Sequence, residues 1–262
     1  MADLEYSTEN GVATILLNRP ERKNAFTLPM IDDWGDAVAQ AKDDPDVRVL
    51  VVRGAGDAFC AGVDLGRATG EMGLGPLDQK ELLRLRIQRI PTLLEQMDKP
   101  VIACMPGVAV GAGLDMALMC DIRLAARSGR FGESYIKIGF VPGAGGMWYL
   151  PRLVGIAKAM EIFMTGDLYP AEECERMGLI NKVYDDDKLI EATYEMAEKI
   201  AGWNPVATGM IKRALYQSTR IDLQTSLDLA SSHMGVLRST DSSQSATKAI
   251  QDRVGGERPI KD

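Results

Sequence analysis

Residues 101–121 read VIACMPGVAVGAGLDMALMCD, and this stretch decides the fold. The apolar run over residues 100–105 predicts a buried strand, which Pro106-Gly107 ends. Gly111-Ala112-Gly113 then turns the chain into a helix that begins near Leu114. The first free N–H groups of such a helix point at whatever lies over its start, so backbone donors for a developing negative charge are expected there.

The same alternation of strands and helices runs through most of the chain. Further strands are predicted at residues 12–17, 47–53, 121–126 and 179–183. Helices are predicted at residues 28–42, with Thr27 as N-cap, and at residues 79–97, with a kink near Pro91. Four more helices are predicted at residues 189–201, 206–218, 222–238 and 242–253. The pattern predicts an α/β core over residues 1–200 and a helical C-terminal region over residues 201–262.

Composition and charge exclude several functional classes. Of the 262 residues 46 % are hydrophobic and 26 % charged, which is typical of a globular protein. The net charge of −7 and the lack of clustered Lys and Arg argue against nucleic-acid binding. With four scattered cysteines and one histidine, His233, no zinc site is expected. No signal peptide or membrane span is recognised, so we expect a cytoplasmic protein with reduced thiols.

Glycine is in mild excess, at 26 residues, and it is clustered. The clusters lie within residues 54–62, 107–113 and 143–146. The second lacks the third glycine of a dinucleotide fingerprint, and no Walker A loop is present. The glycines are therefore better explained by close approach of backbone to backbone or to a ligand.

Several motifs together carry a resemblance to a known family. They lie, in order, at residues 17–20 with Asn24-Ala25, 58–65, 99–103, 107–113 with 119–121, 131–132, 139–146, 150–152 with Gly155, 168–171 and 178–180. In content, order and spacing the chain resembles the enoyl-CoA hydratase/isomerase (crotonase) superfamily over nearly its whole length.

The resemblance implies a fold and a chemistry. The fold would be a spiral of ββα turns, with C-terminal helices that mediate assembly of a homo-trimer or hexamer. The substrate would be an acyl-CoA thioester, whose carbonyl oxygen lies between the N–H groups of Val63 and Ala112. Gly62 and Gly111 would let the backbone come close enough to deliver them. Coenzyme A would enter as part of the substrate, with no separate cofactor.

The family pattern also implies the residues that bind CoA. They would be Arg22, Lys23 and Ala25 along the CoA moiety, Ala61, Asp64 and Leu65 near the adenine and pantetheine arm, and Gly111 at the thioester. Arg253 or Arg258 would meet the CoA phosphates of a neighbouring subunit. Residues 66–79 are interpreted as a loop over the acyl pocket.

The two catalytic glutamates of a typical hydratase in this family fall on Asp115 and Tyr135. Asp115 is still a carboxylate and is expected to be the principal acid/base. Tyr135 is expected to position water or substrate, because a phenol with a pKa near 10 is a poor base. Glu133 is a possible substitute that would share a face with Tyr135 in an extended chain, although its charge favours a solvent-facing side chain. A further aspartate of some isomerases falls on Gly143.

These residues predict an acyl-CoA enzyme that stabilises a thioester enolate, foremost an enoyl-CoA hydratase that adds water across a 2,3 double bond. The alternatives are an enoyl-CoA isomerase, or a β-keto acyl-CoA hydrolase or C–C lyase. A non-catalytic acyl-CoA-binding protein is the alternative from another class. Cys60 invites a nucleophile interpretation, but small residues occupy that position in the family.

Overall fold

Two sheets built from successive strands form the centre of the N-terminal part of the chain. The computed structural model describes residues 2–66 and 74–255. The larger sheet has the order β1-β2-β3-β5-β7-β10, and the smaller has the order β4-β6-β8-β9. Their strands are β1 (Leu4–Glu9), β2 (Val12–Leu17), β3 (Val49–Gly54), β4 (Ala58–Cys60), β5 (Val101–Met105), β6 (Val108–Val110), β7 (Ile122–Ala126), β8 (Arg130–Gly132), β9 (Tyr169–Pro170) and β10 (Lys182–Tyr184).

The helices follow the predicted alternation. They are α1 (Leu28–Asp43), α2 (Pro76–Leu82), α3 (Arg89–Glu95), α4 (Ala112–Leu118), α5 (Gly146–Val154), α6 (Ile156–Thr165), α7 (Ala171–Arg176), α8 (Leu189–Ala201), α9 (Pro205–Ser218), α10 (Leu223–Arg238) and α11 (Asp241–Gly255). Thr27 caps α1 as predicted, since its side chain accepts a hydrogen bond from the Met30 N–H.

The strand order is that of a ββα spiral. In three successive turns one strand joins the larger sheet and the next joins the smaller: β3 then β4, β5 then β6, and β7 then β8. A helix follows each pair, and neighbouring strands between turns are parallel. The expected α/β spiral with helices at its C-terminal end is confirmed.

Both faces of the larger sheet are covered. Along β3, Leu50 and Val52 pack into a core that also contains Trp34 of α1. Val49 and Val51 point to the opposite face, where they pack with α8. Burial on both faces explains why β3 is a continuous apolar run rather than an alternating pattern.

The chain divides into two compact units, Met1–Ala201 and Gly202–Asp262, next to the predicted boundary after residue 200. In the second unit, the side chains of Asn204 and Asp222 cap α9 and α10. None of the helices within the described residues is long and apolar enough to cross a membrane.

The helical stretch that was predicted to be kinked near Pro91 is interrupted three residues before it. A π-helical turn lies over Leu83–Ile87, and α3 begins at Arg89. Pro91 then lies in the first turn of α3, where its missing N–H costs no helical hydrogen bond. Of the predicted loop over residues 66–79, residues 67–73 lie outside the described residues, and α2 begins at Pro76.

Candidate active site

Two backbone segments interlock through glycine and bring Val63 next to Ala112. A Cβ on Gly113 would lie 2.0 Å from the Cys60 carbonyl oxygen and 2.9 Å from the Gly62 nitrogen. A Cβ on Gly62, which has a φ of +90°, would lie 3.5 Å from the Ala112 nitrogen. Only glycine permits this approach, because any side chain at Gly113 would overlap backbone.

Gly62, the residue directly before Val63, therefore lies beside the Ala112 nitrogen, so the two segments that were expected to supply backbone donors meet here. Two backbone hydrogen bonds to Phe26 hold the segment that contains Val63. The Asp64 N–H donates to the Phe26 carbonyl oxygen, and the Phe26 N–H donates to the Gly62 carbonyl oxygen. Ala112 is the first residue of α4, where an N–H has no helical partner. Within residues 2–66 and 74–255, neither N–H donates to another group of the protein.

Asp115, on the first turn of α4, is the centre of a buried polar cluster. Its Oδ2 accepts hydrogen bonds from the Tyr135 hydroxyl at 2.7 Å and from the Ala144 N–H at 3.2 Å. The structure thus joins the two residues that were expected to act together. The Asp115 side chain has no exposed surface, whereas Tyr135 is partly exposed.

Glu133 is also part of this cluster, and the expectation that it faces solvent is wrong. It is fully buried, and the next residues form a 3-10 turn over Ser134–Ile138 rather than an extended strand. A Cβ on Gly146 would lie 2.0 Å from Asp115 Oδ1 and 3.3 Å from Glu133 Oε1. The two carboxyl groups therefore meet at the start of α5, where only a glycine leaves room for them.

Burial dominates the electrostatics of the cluster. It raises the pKa of Asp115 to about 6, although the hydrogen bonds from Tyr135 and from the Ala144 backbone act in the opposite direction. Burial and the adjacent charge of Asp115 raise the pKa of Glu133 well above its ordinary value. The same two causes raise the pKa of Tyr135, so the phenol stays protonated and acts as a donor.

Tyr135 connects the carboxyl groups to the backbone donors. Its ring lies 3.7 Å from the position that a Cβ on Gly111 would occupy, directly before Ala112. Its hydroxyl contacts Asp115, which lies on α4, the helix that begins at Ala112. The arrangement places a phenol, hydrogen-bonded to a buried carboxylate, beside Gly111 and the start of α4, where the Ala112 N–H has no partner among the described residues.

Asp64, expected near the CoA, is held by arginines. Its Oδ2 lies 2.8 Å from Arg19 Nη2, both side chains are 4 % exposed, and its Oδ1 lies 3.4 Å from Arg22 Nη2. The Arg19 guanidinium lowers the pKa of the Asp64 carboxyl below its ordinary value. Arg19 also donates to the Ala25 carbonyl oxygen. Sequence reasoning missed Arg19, whose only signal is the Asn-Arg-Pro motif.

The other residues that were expected to bind CoA differ in exposure. Arg22 and Lys23 are about half exposed, and Lys23 pairs with the exposed Asp57 at 2.6 Å. Leu65 is 45 % exposed, whereas Ala25 is buried. Ala61 donates its N–H to the Lys23 carbonyl oxygen, which ties the two CoA segments together.

Two further expectations concern the C-terminal arginines and Cys60. Arg253 lies in α11, but its side chain and all of Arg258 lie outside the described residues. Cys60 is fully buried, and burial raises its pKa to about 12. A thiol in that state is not a nucleophile at neutral pH, in agreement with the expectation for Cys60.

The sequence also matches proteins of known family. The model of the enoyl-CoA hydratase/isomerase family matches residues 7–254. The chain belongs to this family. The resemblance inferred from the motifs is therefore confirmed.

Curated relatives of this enoyl-CoA hydratase/isomerase family member include enzymes with different names. The 1,2-epoxyphenylacetyl-CoA isomerase of Escherichia coli strain K12 is 36 % identical over 84 % of this chain and 84 % of its own length. The crotonyl-CoA hydratase of Syntrophomonas wolfei is 32 % identical over 94 % and 93 %. The crystal structure of an enoyl-CoA hydratase from Bacillus anthracis is similar in fold, with a TM-score of 0.90 and 30 % identity over 96 % of this chain and 97 % of that one.

Proposed function

We propose that the protein is an enoyl-CoA hydratase, in which Tyr135 and Asp115 form one acid–base unit. The observation that carries the proposal is the 2.7 Å hydrogen bond from the Tyr135 hydroxyl to the buried Asp115 carboxylate, on the helix whose first N–H, that of Ala112, has no partner among the described residues. We propose the N–H groups of Val63 and Ala112 as the donors to the substrate. The two N–H groups would hold the thioester oxygen as its negative charge develops. Loss of a single donor of this kind typically costs about 100- to 1,000-fold in kcat.

The proton path follows from the burial of Asp115. A water molecule held by the Tyr135 oxygen adds its oxygen to the β-carbon of the substrate. Its proton passes to the Tyr135 oxygen while the phenolic proton passes to Oδ2 of Asp115. The electron pair of the double bond moves to the thioester oxygen, and the resulting enolate accepts hydrogen bonds from Val63 and Ala112.

The second half of the reaction protonates the α-carbon and restores the Tyr135–Asp115 unit. The enolate collapses, and the α-carbon takes a proton from the Tyr135 hydroxyl as Asp115 gives its proton back to the phenolate oxygen. One hydrogen of the water ends on the new hydroxyl group and the other on the α-carbon, so the unit is regenerated. Asp115 must be ionised at the start, and hence kcat should fall as the pH drops through about 6.

An isomerase is the second candidate, and the 36 % identity to 1,2-epoxyphenylacetyl-CoA isomerase favours it. The same unit would then move one proton without using water. Gly143, where some isomerases place an aspartate, argues against that branch. A Cβ there would already lie 3.1 Å from a Leu83 methyl group, and the Gly143 carbonyl accepts from the Gln88 amide at 2.9 Å.

Crotonyl-CoA and longer enoyl-CoA thioesters test the proposal. We expect loss of the enone absorbance, with one oxygen atom taken up from isotopically labelled water. A product of the same mass as the substrate, with no label, would instead support isomerisation. Absence of turnover with every chain length would overturn hydration.

We further propose where the CoA moiety binds, in which compartment the protein acts and how it assembles. The CoA part of the substrate would lie along Arg22, Lys23 and Ala61, with no separate cofactor. The protein would act in the cytoplasm, since its four buried cysteines are free thiols. It would assemble as a homo-trimer or hexamer, because exposed apolar side chains such as Phe140 and Ile156 suit a subunit interface. Light scattering of the purified protein tests that assembly.

A further inference from the structure

The Asp115–Glu133 pair has three carboxylate oxygens that the proposed reaction does not use. Asp115 Oδ1 and both oxygens of Glu133 are buried and accept no hydrogen bond from any donor among the described residues. Asp115 Oδ1 and Glu133 Oε1 both lie within 3.3 Å of one point, the Cβ position of Gly146. Two buried carboxylates this close cannot both be ionised without a large electrostatic penalty.

No cation relieves that penalty among the residues that the structure describes. The ionisable groups that face Glu133 are Asp115 on α4 and Tyr135 in the next turn of the chain. The helix α5 presents the backbone of Gly146 at this point, and the N–H of Gly146 lowers the pKa of Asp115 without adding a full positive charge. The nearest basic residues along the chain are turned elsewhere: Arg130 donates to the carbonyls of Ser128 and Gly129, and Lys137 packs beside Gly166.

Charges on α6, which packs against the turn that holds Tyr135, are also engaged elsewhere. Lys158 and Glu161 pair with each other at 2.9 Å, and Glu161 accepts from the Tyr169 hydroxyl at 2.9 Å. No third carboxylate, cysteine or histidine joins Asp115 and Glu133 within residues 2–66 and 74–255. A proton is therefore the positive charge left to stabilise the pair.

We propose that Glu133 is a positioning residue for Asp115: it stays protonated near neutral pH and donates that proton in a hydrogen bond to Oδ1 of Asp115. Asp115 then has donors on both oxygens, Glu133 on Oδ1 and Tyr135 with Ala144 on Oδ2. These contacts keep the carboxylate ionised and fix the direction of Oδ2 toward Tyr135. The role in turnover rests on the proposed acid–base function of Asp115, but the protonation of Glu133 does not.

Glu133→Gln separates proton sharing from simple packing. The glutamine amide can donate to Asp115 Oδ1 as the protonated acid does, yet it cannot titrate. We expect the kcat of this variant at pH 7 to stay within about threefold of wild type. The wild-type kcat/KM profile should be bell-shaped, with apparent pKa values that belong to the pair, and Glu133→Gln should lose the alkaline limb.

Glu133→Met keeps the side-chain length but removes the donor. Its acid limb should move to higher pH, because the Asp115 carboxylate loses a hydrogen bond that favours its ionised form, and kcat should fall by about 10-fold or more. Glu9→Gln, on the exposed end of β1, is the matched control and should leave the profile unchanged.

Infrared difference spectroscopy gives a readout that needs no substrate. Wild-type protein at pH 7 should show the C=O stretch of a protonated carboxyl group that is lost at alkaline pH, and Glu133→Gln should lack this band. An unchanged band in Glu133→Gln, no band in wild type, or an alkaline limb that persists in the variant would overturn the proposal. If the band behaves as expected while no enoyl-CoA is turned over, the proton sharing stands and the hydratase proposal fails.

Discussion

Replacing Gly146 with alanine should disable the acid–base unit although none of its own residues is substituted. The new Cβ would lie 2.0 Å from Asp115 Oδ1 and 3.1 Å from its Cγ, whereas real Cβ atoms are essentially never closer than 3.0 Å to such an atom. Oδ1 must therefore retreat by about 1 Å in a close-packed site. It cannot retreat freely, since Glu133 Oε1 is 3.3 Å from the same Cβ position.

A displacement of this size at a reacting group typically costs about 100-fold in rate. We expect Gly146→Ala to lower kcat on crotonyl-CoA by about that factor, with KM within about threefold because the CoA segments are not involved. Overpacking should also lower the free energy of unfolding by about 1–3 kcal/mol. The assay is the loss of enone absorbance, measured well below the melting temperature of the variant.

Gly235→Ala, in the last turn of α10, is the control. No atom of the described residues lies within 4 Å of its Cβ position, so the change should leave kcat as it is and stabilise the helix by up to about 1 kcal/mol. A folded Gly146→Ala enzyme with a kcat within threefold of wild type would contradict the expected loss of activity. It would mean that the position of the Asp115 carboxylate does not limit the reaction.

Three other substitutions test neighbouring parts of the account. Tyr135→Phe removes the hydroxyl that carries the proton and should lower kcat by about 100-fold, in the same absorbance assay; a rate near wild type would show that Asp115 acts without it. Gly113→Ala would place a Cβ 2.0 Å from the Cys60 carbonyl oxygen, so it should displace the backbone donors and lower kcat by about 100-fold; unchanged turnover in folded protein would contradict their role. Asp64→Asn removes the buried counter-charge of Arg19, which keeps only the half-exposed Asp3 at 3.4 Å, and should cost about 3 kcal/mol of unfolding free energy at pH 7 in urea titrations. Because the folded-state pKa of Asp64 is lowered, that stabilisation is present above the ordinary aspartate pKa and is lost as the pH falls through the folded value, so the difference from wild type should shrink in acid.

Four strands of the larger sheet, β2, β3, β5 and β7, were predicted well because they are largely apolar runs of five or six residues. The edge strand β1 was not predicted, since its sequence LEYSTE is mostly polar and exposed. The smaller sheet was not predicted: β4, β6 and β8 have three residues each, which is too short for a periodic pattern. The π-helical form of the turn before α3 was also not predicted, since such a turn has no residue signal comparable to a proline.

The candidate site was predictable where it depends on backbone. The glycine clusters indicated close approaches, and Gly62 and Gly113 meet as expected. The environment of Glu133 was not predictable, because the strand ends at Gly132 and the direction of the next side chain is set by tertiary packing. A charged side chain is usually exposed, and only the position of Asp115, 18 positions earlier in the chain, shows why this one is buried.

The activity of Asp115→Asn shows whether Asp115 is the acid/base of the reaction. The variant keeps the shape of the side chain and its contact with Tyr135 but cannot take up a proton as the carboxylate does. On crotonyl-CoA at pH 7, we predict that kcat falls by at least about 100-fold while KM changes little. Full activity of this variant would contradict the assignment of Asp115 as the acid/base of the enzyme.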